Sequence, residues 1–193
     1  MQRKLNSKFL MTLLIVIFAA AITALAAISI REIKPASAAG TVVLNNADDF
    51  MFIKSSKDNT ARFSGISDDG YAKLAKDGVV PAKNEDIEVD FEIVLPAQTS
   101  DGFNVTDSNG INNMYTLLSA TVPATFTKTT INFSNCYKLE NLYVDANNPK
   151  ICAVNGVIYS KDMQMICRYP MGRAGGFIMP ESVVTMEDDC FFH

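Results

Sequence analysis

The stretch Asn132-Phe133-Ser134-Asn135-Cys136-Tyr137-Lys138-Leu139-Glu140-Asn141-Leu142-Tyr143-Val144 decides the fold of this chain. Its apolar residues fall neither on one stripe of a helix nor on one side of a regularly alternating strand. A turn on Asn135-Cys136 that leads into a short strand over Asn141 to Val144 accounts for their positions. One short strand per repeat, with its apolar side chains buried against neighbouring repeats, is typical of a solenoid. The stretch therefore predicts a solenoid repeat.

Two segments of the chain repeat one pattern around a proline. Val122-Pro123-Ala124-Thr125-Phe126 is echoed much later in the chain by Met179-Pro180-Glu181-Ser182-Val183. Phe133 follows the first proline by ten positions, and Phe191 follows the second by eleven. This recurrence also favours a repeat architecture for the last third of the chain.

The last third also resembles a known family. Several short motifs occur in the order found in BspA-type leucine-rich repeats: Phe133 to Cys136, Leu139 to Val144, Asp145 to Pro149, Val154 to Asp162 and Met165 to Arg173. The resemblance covers residues 119–193 and implies a mainly β fold with little helix. It implies a leucine-rich-repeat solenoid of about two and a half coils, which is fewer than the three repeats that usually make such a solenoid stable.

Three positions depart from the pattern of that family. Ile151 stands where an aromatic residue is usual, and Asn155 replaces the aspartate before Gly156. Asp189-Cys190-Phe191 takes the place of an alanine–phenylalanine corner. The departures indicate a divergent repeat and leave the predicted fold unchanged.

The N-terminus has the pattern of an export signal. Arg3, Lys4 and Lys8 precede an uncharged run from Phe9 to Ile30, and Ala36-Ser37-Ala38 is a candidate cleavage site. The run is predicted to form an apolar helix long enough to cross a bilayer, which takes about 20 residues. Residues 1–39 are therefore predicted to be either a cleaved signal peptide or an uncleaved anchor. Both alternatives place residues 40–193 outside the cytoplasm, secreted or at the cell surface.

The exported part of the chain is acidic. Residues 39–193 hold 12 Lys and Arg against 20 Asp and Glu. Binding to nucleic acid or to anionic lipid calls for basic patches, so neither is expected here. Membrane contact is expected only through residues 9–30, if that segment stays uncleaved.

Two regions are predicted before the repeats. Residues 40–85 form a β-rich region, with a strand over Thr41 to Leu44 and a short helix over Asp69 to Lys76. Residues 86–118 form a degenerate repeat or N-terminal cap, since the open end of a solenoid core needs a cover.

Within this cap, Asp86 to Leu95 alternates acidic and apolar residues. The alternation predicts a strand with one buried face and a row of carboxylates on the other. A second strand is predicted over Met114 to Leu118.

The carboxylate row of the first strand comprises Asp86, Glu88, Asp90 and Glu92. Carboxylates bind Ca²⁺, but such a row is also the ordinary solvated face of a strand, and we favour that interpretation. Asp107-Ser108-Asn109-Gly110 lacks the later ligands of an EF-hand loop and is predicted to be a turn. No metal or cofactor is expected.

The four cysteines, Cys136, Cys152, Cys167 and Cys190, contain no C-x-x-C pair, so zinc and redox sites lack their usual spacing. We expect buried free thiols, with a Cys152–Cys167 disulfide as the alternative in an exported chain. A cysteine or serine nucleophile needs a base, and the single histidine is His193. We therefore expect no enzyme activity and no catalytic residue.

Exposed aromatic residues are the remaining candidates for a binding surface. Tyr137, Tyr143, Tyr159, Tyr169 and Phe177 have spacings that favour packing within the repeats for most of them, with one or two at the surface. The sequence assigns no binding residue among them.

Together these features predict an exported, surface-associated leucine-rich repeat protein that acts as a protein-binding or adhesion module. The adhesion role and a host, matrix or cell-surface partner are implied by the family resemblance. The alternative is a targeting or carbohydrate-binding appendage of a larger exported enzyme. Residues 119–193 stop in mid-repeat, so we expect a truncated solenoid whose open C-terminal edge self-associates or continues in a longer protein.

Overall fold

A computed structural model describes residues 40–191, which are built mainly of β-strands. In chain order the elements are β1 (Val42–Leu44), a 3₁₀ turn (Ala47–Asp49), β2 (Phe50–Ser55), β3 (Thr60–Ile66), α1 (Asp68–Lys73), a second 3₁₀ turn (Asn84–Asp86), β4 (Phe91–Val94), β5 (Asn104–Ser108), β6 (Leu117–Val122), β7 (Asn141–Val144), β8 (Ile151–Val154), β9 (Val157–Ser160), β10 (Met165–Arg168) and β11 (Thr185–Met186). The predicted mainly β class with little helix is confirmed.

The predicted export segment and apolar helix, residues 1–39, lie outside the described residues, as do Phe192 and His193. Within residues 40–191, no helix is long and apolar enough to cross a membrane.

A four-stranded parallel sheet, in the order β1-β4-β6-β7, forms the centre of the fold. β6 and β7 are consecutive in the chain and lie side by side, with Ser119 opposite Asn141. Leu44, Ile93, Ala120 and Leu142 are aligned across the four strands, and each is at most 1% exposed. This row of apolar side chains is the core face of the sheet.

The strand predicted over Asn141 to Val144 is confirmed as β7. Asn135 has a positive φ of 58°, the left-handed conformation that asparagine tolerates at a tight turn, which places the predicted turn where expected. The strand predicted over Thr41 to Leu44 is confirmed as β1.

The strand predicted over Asp86 to Leu95 is wrong in its extent, because β4 begins only at Phe91. Its row of outward carboxylates is wrong at Glu92, which is only 7% exposed, whereas the side chains of Glu88 and Asp90 are exposed but precede β4. β4 lies between β1 and β6, and a strand inside a parallel sheet is covered on both faces, so it does not alternate between core and solvent.

The strand predicted over Met114 to Leu118 instead runs from Leu117 to Val122, because Met114 belongs to the preceding turn and is buried beneath it. The predicted divisions at residues 85 and 118 stay predictions.

The predicted short helix is confirmed as α1, which starts one residue earlier and ends three residues earlier than expected. The Ser67 side chain caps its N-terminus by accepting a hydrogen bond from the Gly70 N–H at 3.1 Å. A Cβ on Gly70 would clash with the Asp49 carbonyl oxygen, so glycine allows the helix to pack against the 3₁₀ turn. The β2-β3-β5 sheet completes this N-terminal part.

The C-terminal part is a second four-stranded sheet in the order β11-β10-β9-β8. β8, β9 and β10 are antiparallel, whereas β11 pairs with β10 in parallel. A small cluster of Val157, Tyr159, Ile166 and Cys190 is buried against it. β11 and β8 are the edge strands of this sheet.

Candidate binding surfaces

Two tyrosines stand stacked at the turns that precede β6 and β7. Tyr115 and Tyr137 are 37% and 57% exposed, and their ring centroids lie 5.4 Å apart at an interplanar angle of 30°. We call this pair the tyrosine ridge. Aromatic side chains that are held rigidly in solvent supply much of the contact energy in protein interfaces.

The backbone beneath the tyrosine ridge is held by a ladder of side-chain amides. Asn113 and Asn135 both adopt a positive φ, and the Asn135 Nδ2 donates to the Asn113 Oδ1 at 2.8 Å. The Asn113 Nδ2 donates in turn to the Glu85 Oε1 at 2.8 Å. Met114 and Cys136, which follow the two asparagines, are at most 1% exposed and anchor each turn in the core.

Only Tyr137 of this pair is among the five aromatic candidates predicted from the sequence. Tyr137 is well exposed, whereas Tyr143 and Tyr159 are buried. Tyr115 was missed, although Asn113-Met114-Tyr115 follows the same pattern as Asn135-Cys136-Tyr137 further along the chain. The alignment of these two segments was the signal that would have found it.

The other two aromatic candidates pack together near the end of the described chain. Tyr169 and Phe177 have ring centroids 4.9 Å apart, and Tyr169 lies 5.3 Å from the ring of Phe191. Tyr169 and Phe177 are only partly exposed, so they contribute little to the exposed surface around β11.

That surface contains several large apolar side chains that are exposed, in the segment before, within and after β11. We call it the apolar end, defined by Ile178, Met179, Val184, Met186 and Phe191. Ile178 is 90% exposed, Val184 73% and Met186 60%. Large apolar side chains gathered at one surface usually mark a contact with another molecule.

The outward face of the parallel sheet carries two aligned polar rows. Glu92, Ser119 and Asn141 form one row, and Thr121 and Tyr143 belong to the next. The hydroxyls of Ser119 and Thr121 are buried and make no hydrogen bond with the described part of the chain. Little of this face is open to solvent, so we do not assign it as the binding surface.

The carboxylates considered for Ca²⁺ are dispersed. Glu88 pairs with Lys76 at 2.8 Å, and Asp90 pairs with Lys138 at 2.7 Å, while Glu92 lies on β4. Between Gly40 and Phe191 no three His, Cys, Asp or Glu residues are grouped so that they could hold a metal ion.

The turn predicted over Asp107 to Gly110 is wrong at its start, because Asp107 and Ser108 are the last two residues of β5 and only Asn109 and Gly110 follow the strand. Asp107 forms an ion pair with Arg62 at 3.4 Å, and the Gly110 N–H donates to the Ser108 Oγ at 2.9 Å. These contacts occupy the polar groups of Asp107 and Ser108, and they fix the chain where β5 ends.

A cleft of about 640 Å³ opens beside residues 74–88. Its walls include Lys76, Glu85 and Glu88, whose charged groups already bond to one another or to Asn113. Because these groups are engaged, the cleft is a weaker candidate than the two exposed surfaces.

None of the four cysteines forms a disulfide within residues 40–191. Cys136, Cys167 and Cys190 are buried and Cys152 is half-buried, so the alternative Cys152–Cys167 bridge is not formed. The Cys136 Sγ donates to the Ile111 carbonyl at 3.1 Å. Burial raises the pKa of the Cys136 thiol to about 11 and that of Cys167 to about 12. Neutral, buried thiols of this kind pack as small apolar side chains and are poor nucleophiles.

These raised thiol pKa values predict a loss of stability in alkali. The unfolded chain releases thiol protons above about pH 9, whereas the folded chain keeps them, so unfolding becomes more favourable as the pH rises. The stabilisation is complete below about pH 9 and is lost as the pH rises through the folded-state pKa of Cys136. Urea unfolding between about pH 8 and about pH 11 measures the decline, and Cys136→Ala should make it shallower. An equal decline in that variant would contradict the assignment.

Comparisons with known proteins give a similarity to a solved structure. No protein-family model and no curated protein matches the chain. Among solved structures, a leucine-rich repeat protein from Eubacterium ventriosum is similar, with 21% sequence identity and a TM-score of 0.39. The match covers 53% of this chain and 27% of that protein, so the chain spans about a quarter of the protein it is similar to.

Proposed function

We propose that this chain is an exported, surface-associated module that binds other proteins and has no catalytic activity of its own. The tyrosine ridge carries this proposal. Its two rings are exposed, yet their backbone is fixed by the amide ladder and by the buried Met114 and Cys136. A rigid aromatic pair loses little conformational entropy on binding, which is the property of an interface anchor.

The proposal includes a leucine-rich-repeat solenoid of the BspA type. Its support is the alignment of the parallel strands and the repeated turn, in which a residue with positive φ precedes a buried residue and an aromatic one. Asn113-Met114-Tyr115, Asn135-Cys136-Tyr137 and Asp189-Cys190-Phe191 all follow this pattern. Solenoids use such extended, repeated surfaces for binding.

Export is the second part of the proposal, and its support is the sequence pattern of residues 1–39. The excess of 20 acidic over 12 basic residues after that segment favours a soluble module. Fractionation of the native host, with detection of the chain in the medium and on intact cells, tests this part. Detection only inside the cells would contradict it.

The binding function is tested by removing the tyrosine ridge. We expect the double variant Tyr115→Ser/Tyr137→Ser to weaken binding to extracellular-matrix or cell-surface proteins by at least about tenfold, since interface aromatics carry a large share of the binding energy. Ile53→Ser is the matched control, because Ile53 is 57% exposed on β2 and lies outside the ridge.

Binding is measured by biolayer interferometry of the purified chain against a panel of such proteins, with circular dichroism to confirm that each variant folds. Equal binding by the double variant and the Ile53→Ser control would show that the ridge is not the contact. A folded chain that binds no member of the panel would count against the function itself.

A further inference from the structure

We propose that the apolar end binds an extended segment of another protein by strand addition along β11, and that this segment carries alternating apolar residues flanked by Lys or Arg. This inference rests on the proposed protein-binding function and names the chemistry of one partner. It concerns a surface separate from the tyrosine ridge.

The backbone of β11 has one side open for pairing. Within residues 40–191, β11 is the last strand in its sheet. The Val184 N–H, just before β11, donates to the Gln164 carbonyl at 2.8 Å, so the backbone groups that face outward begin at Met186. The Thr185 N–H donates to the Gln164 carbonyl at 3.1 Å, and the Glu187 N–H donates to the Ile166 carbonyl at 2.9 Å. The N–H and C=O of Met186, between them, therefore point away from β10. Such an edge is a template for an added strand.

The side chains around that edge are apolar and open to solvent. Met186 and Val184 are 60% and 73% exposed, and Phe191 is 40% exposed beside them in the chain. Cys190 is buried and fixes the segment from beneath. A partner strand with apolar residues at every second position would cover these side chains while its backbone pairs with Met186.

The charges around the apolar end select a basic partner. Glu181, Glu187, Asp188 and Asp189 flank it, and residues 174–191 contain no Lys or Arg. Arg168 reaches this segment, but its guanidinium is buried and donates to the Asp189 carbonyl at 2.6 Å. Its charge is therefore not presented to a partner. A symmetric pairing with a second copy would bring the carboxylates of both copies to one short edge, which is unfavourable, whereas Lys or Arg beside the added strand is complementary.

The test uses the purified chain and two fluorescent peptides. Both peptides alternate valine and threonine, and one is flanked by lysines and the other by glutamates. We expect the lysine-flanked peptide to bind at least about tenfold more tightly at low salt, and this advantage to shrink as salt screens the charges. Fluorescence anisotropy titrations measure both affinities.

Two variants separate the backbone from the charge contribution. Met186→Pro removes the outward N–H and spares the hydrogen bonds to β10, a position that an edge strand tolerates. We expect it to abolish binding of the lysine-flanked peptide. Asp188→Lys keeps the edge and should reduce the preference for lysine over glutamate flanks. Ile53→Ser is the control that leaves binding unchanged.

Equal binding of the two peptides, or lysine-flanked binding that survives Met186→Pro in a folded protein, would overturn the inference. Self-association of the chain that Met186→Pro abolishes would assign the edge to a second copy and would also overturn it. If Met186→Pro still binds the protein panel through the tyrosine ridge, the proposed function stands whatever the peptides show.

Discussion

Replacement of Asn148 by alanine is expected to destabilise the fold by about 3–5 kcal/mol, because it leaves several buried backbone groups without partners. The Asn148 side chain is 0% exposed. Its Nδ2 donates to the carbonyls of Pro123 and Phe126 at 2.9 and 3.0 Å. Its Oδ1 accepts from the N–H groups of Lys150 and Ile151 at 2.9 and 3.0 Å. One amide thus fixes the start of β8 to the loop that follows β6.

Urea unfolding followed by circular dichroism measures the effect of Asn148→Ala. Asn147→Ala is the matched control, because Asn147 is exposed and bonds only to Asp145 nearby, so its effect should stay below about 0.5 kcal/mol. Asn148→Asp keeps the size and the acceptor but places a carboxylate against two carbonyls, and we expect it to be at least as damaging. Equal stability of the Asn148 and Asn147 variants would refute this role.

Arg168→Met is the second substitution for which we expect a large effect, about 2–4 kcal/mol. Arg168 is only 6% exposed, and its guanidinium joins two distant turns. Nε donates to the Ile131 carbonyl at 2.9 Å, and Nη1 donates to the Asp189 carbonyl at 2.6 Å. Methionine fills similar space but leaves both carbonyls unsatisfied. We expect structure to be lost first in the segment that follows β11, because the hydrogen bond to the Asp189 carbonyl holds that segment in place.

Hydrogen exchange distinguishes this local loosening from general destabilisation. In Arg168→Met, we expect amide protection to fall first around Cys190 and later in β7. Arg168→Lys should recover little, because an ammonium group cannot reproduce the fixed fork of a guanidinium. Arg173→Met is the control, since the Arg173 Nη1 makes only a long contact of 3.5 Å with Asn141. A uniform loss of protection across β7 and residues 185–191 would contradict the local role.

Much of the local structure could be predicted from the sequence. The strand over Asn141 to Val144 and the turn at Asn135 were predicted correctly, because apolar spacing and turn residues act within a few positions. The same reasoning failed at β4, where alternation suggested a half-exposed strand. β4 lies inside a parallel sheet, and its environment is set by β1 and β6, which are distant in sequence.

The candidate surfaces were predicted less well than the fold. Tyr137 was identified as an aromatic candidate, but its exposure and its stacking on Tyr115 depend on how the turns before β6 and β7 align. The acidic residues beside β11 can be read from the sequence, but the outward direction of the Met186 N–H follows only from the pairing of β11 with β10.

The sequence alone determined the β-rich class, the recurrence of the turn pattern and the acidic charge of the chain, because composition and short-range periodicity carry that information. Only the tertiary structure decided which polar side chains are buried and form hydrogen bonds between distant parts of the chain. Asn148 and Arg168 look like ordinary surface residues in the sequence, and they are buried because their hydrogen-bond partners come from turns that folding brings together. Partners that lie far apart in the sequence leave no local pattern, so their positions follow from packing alone.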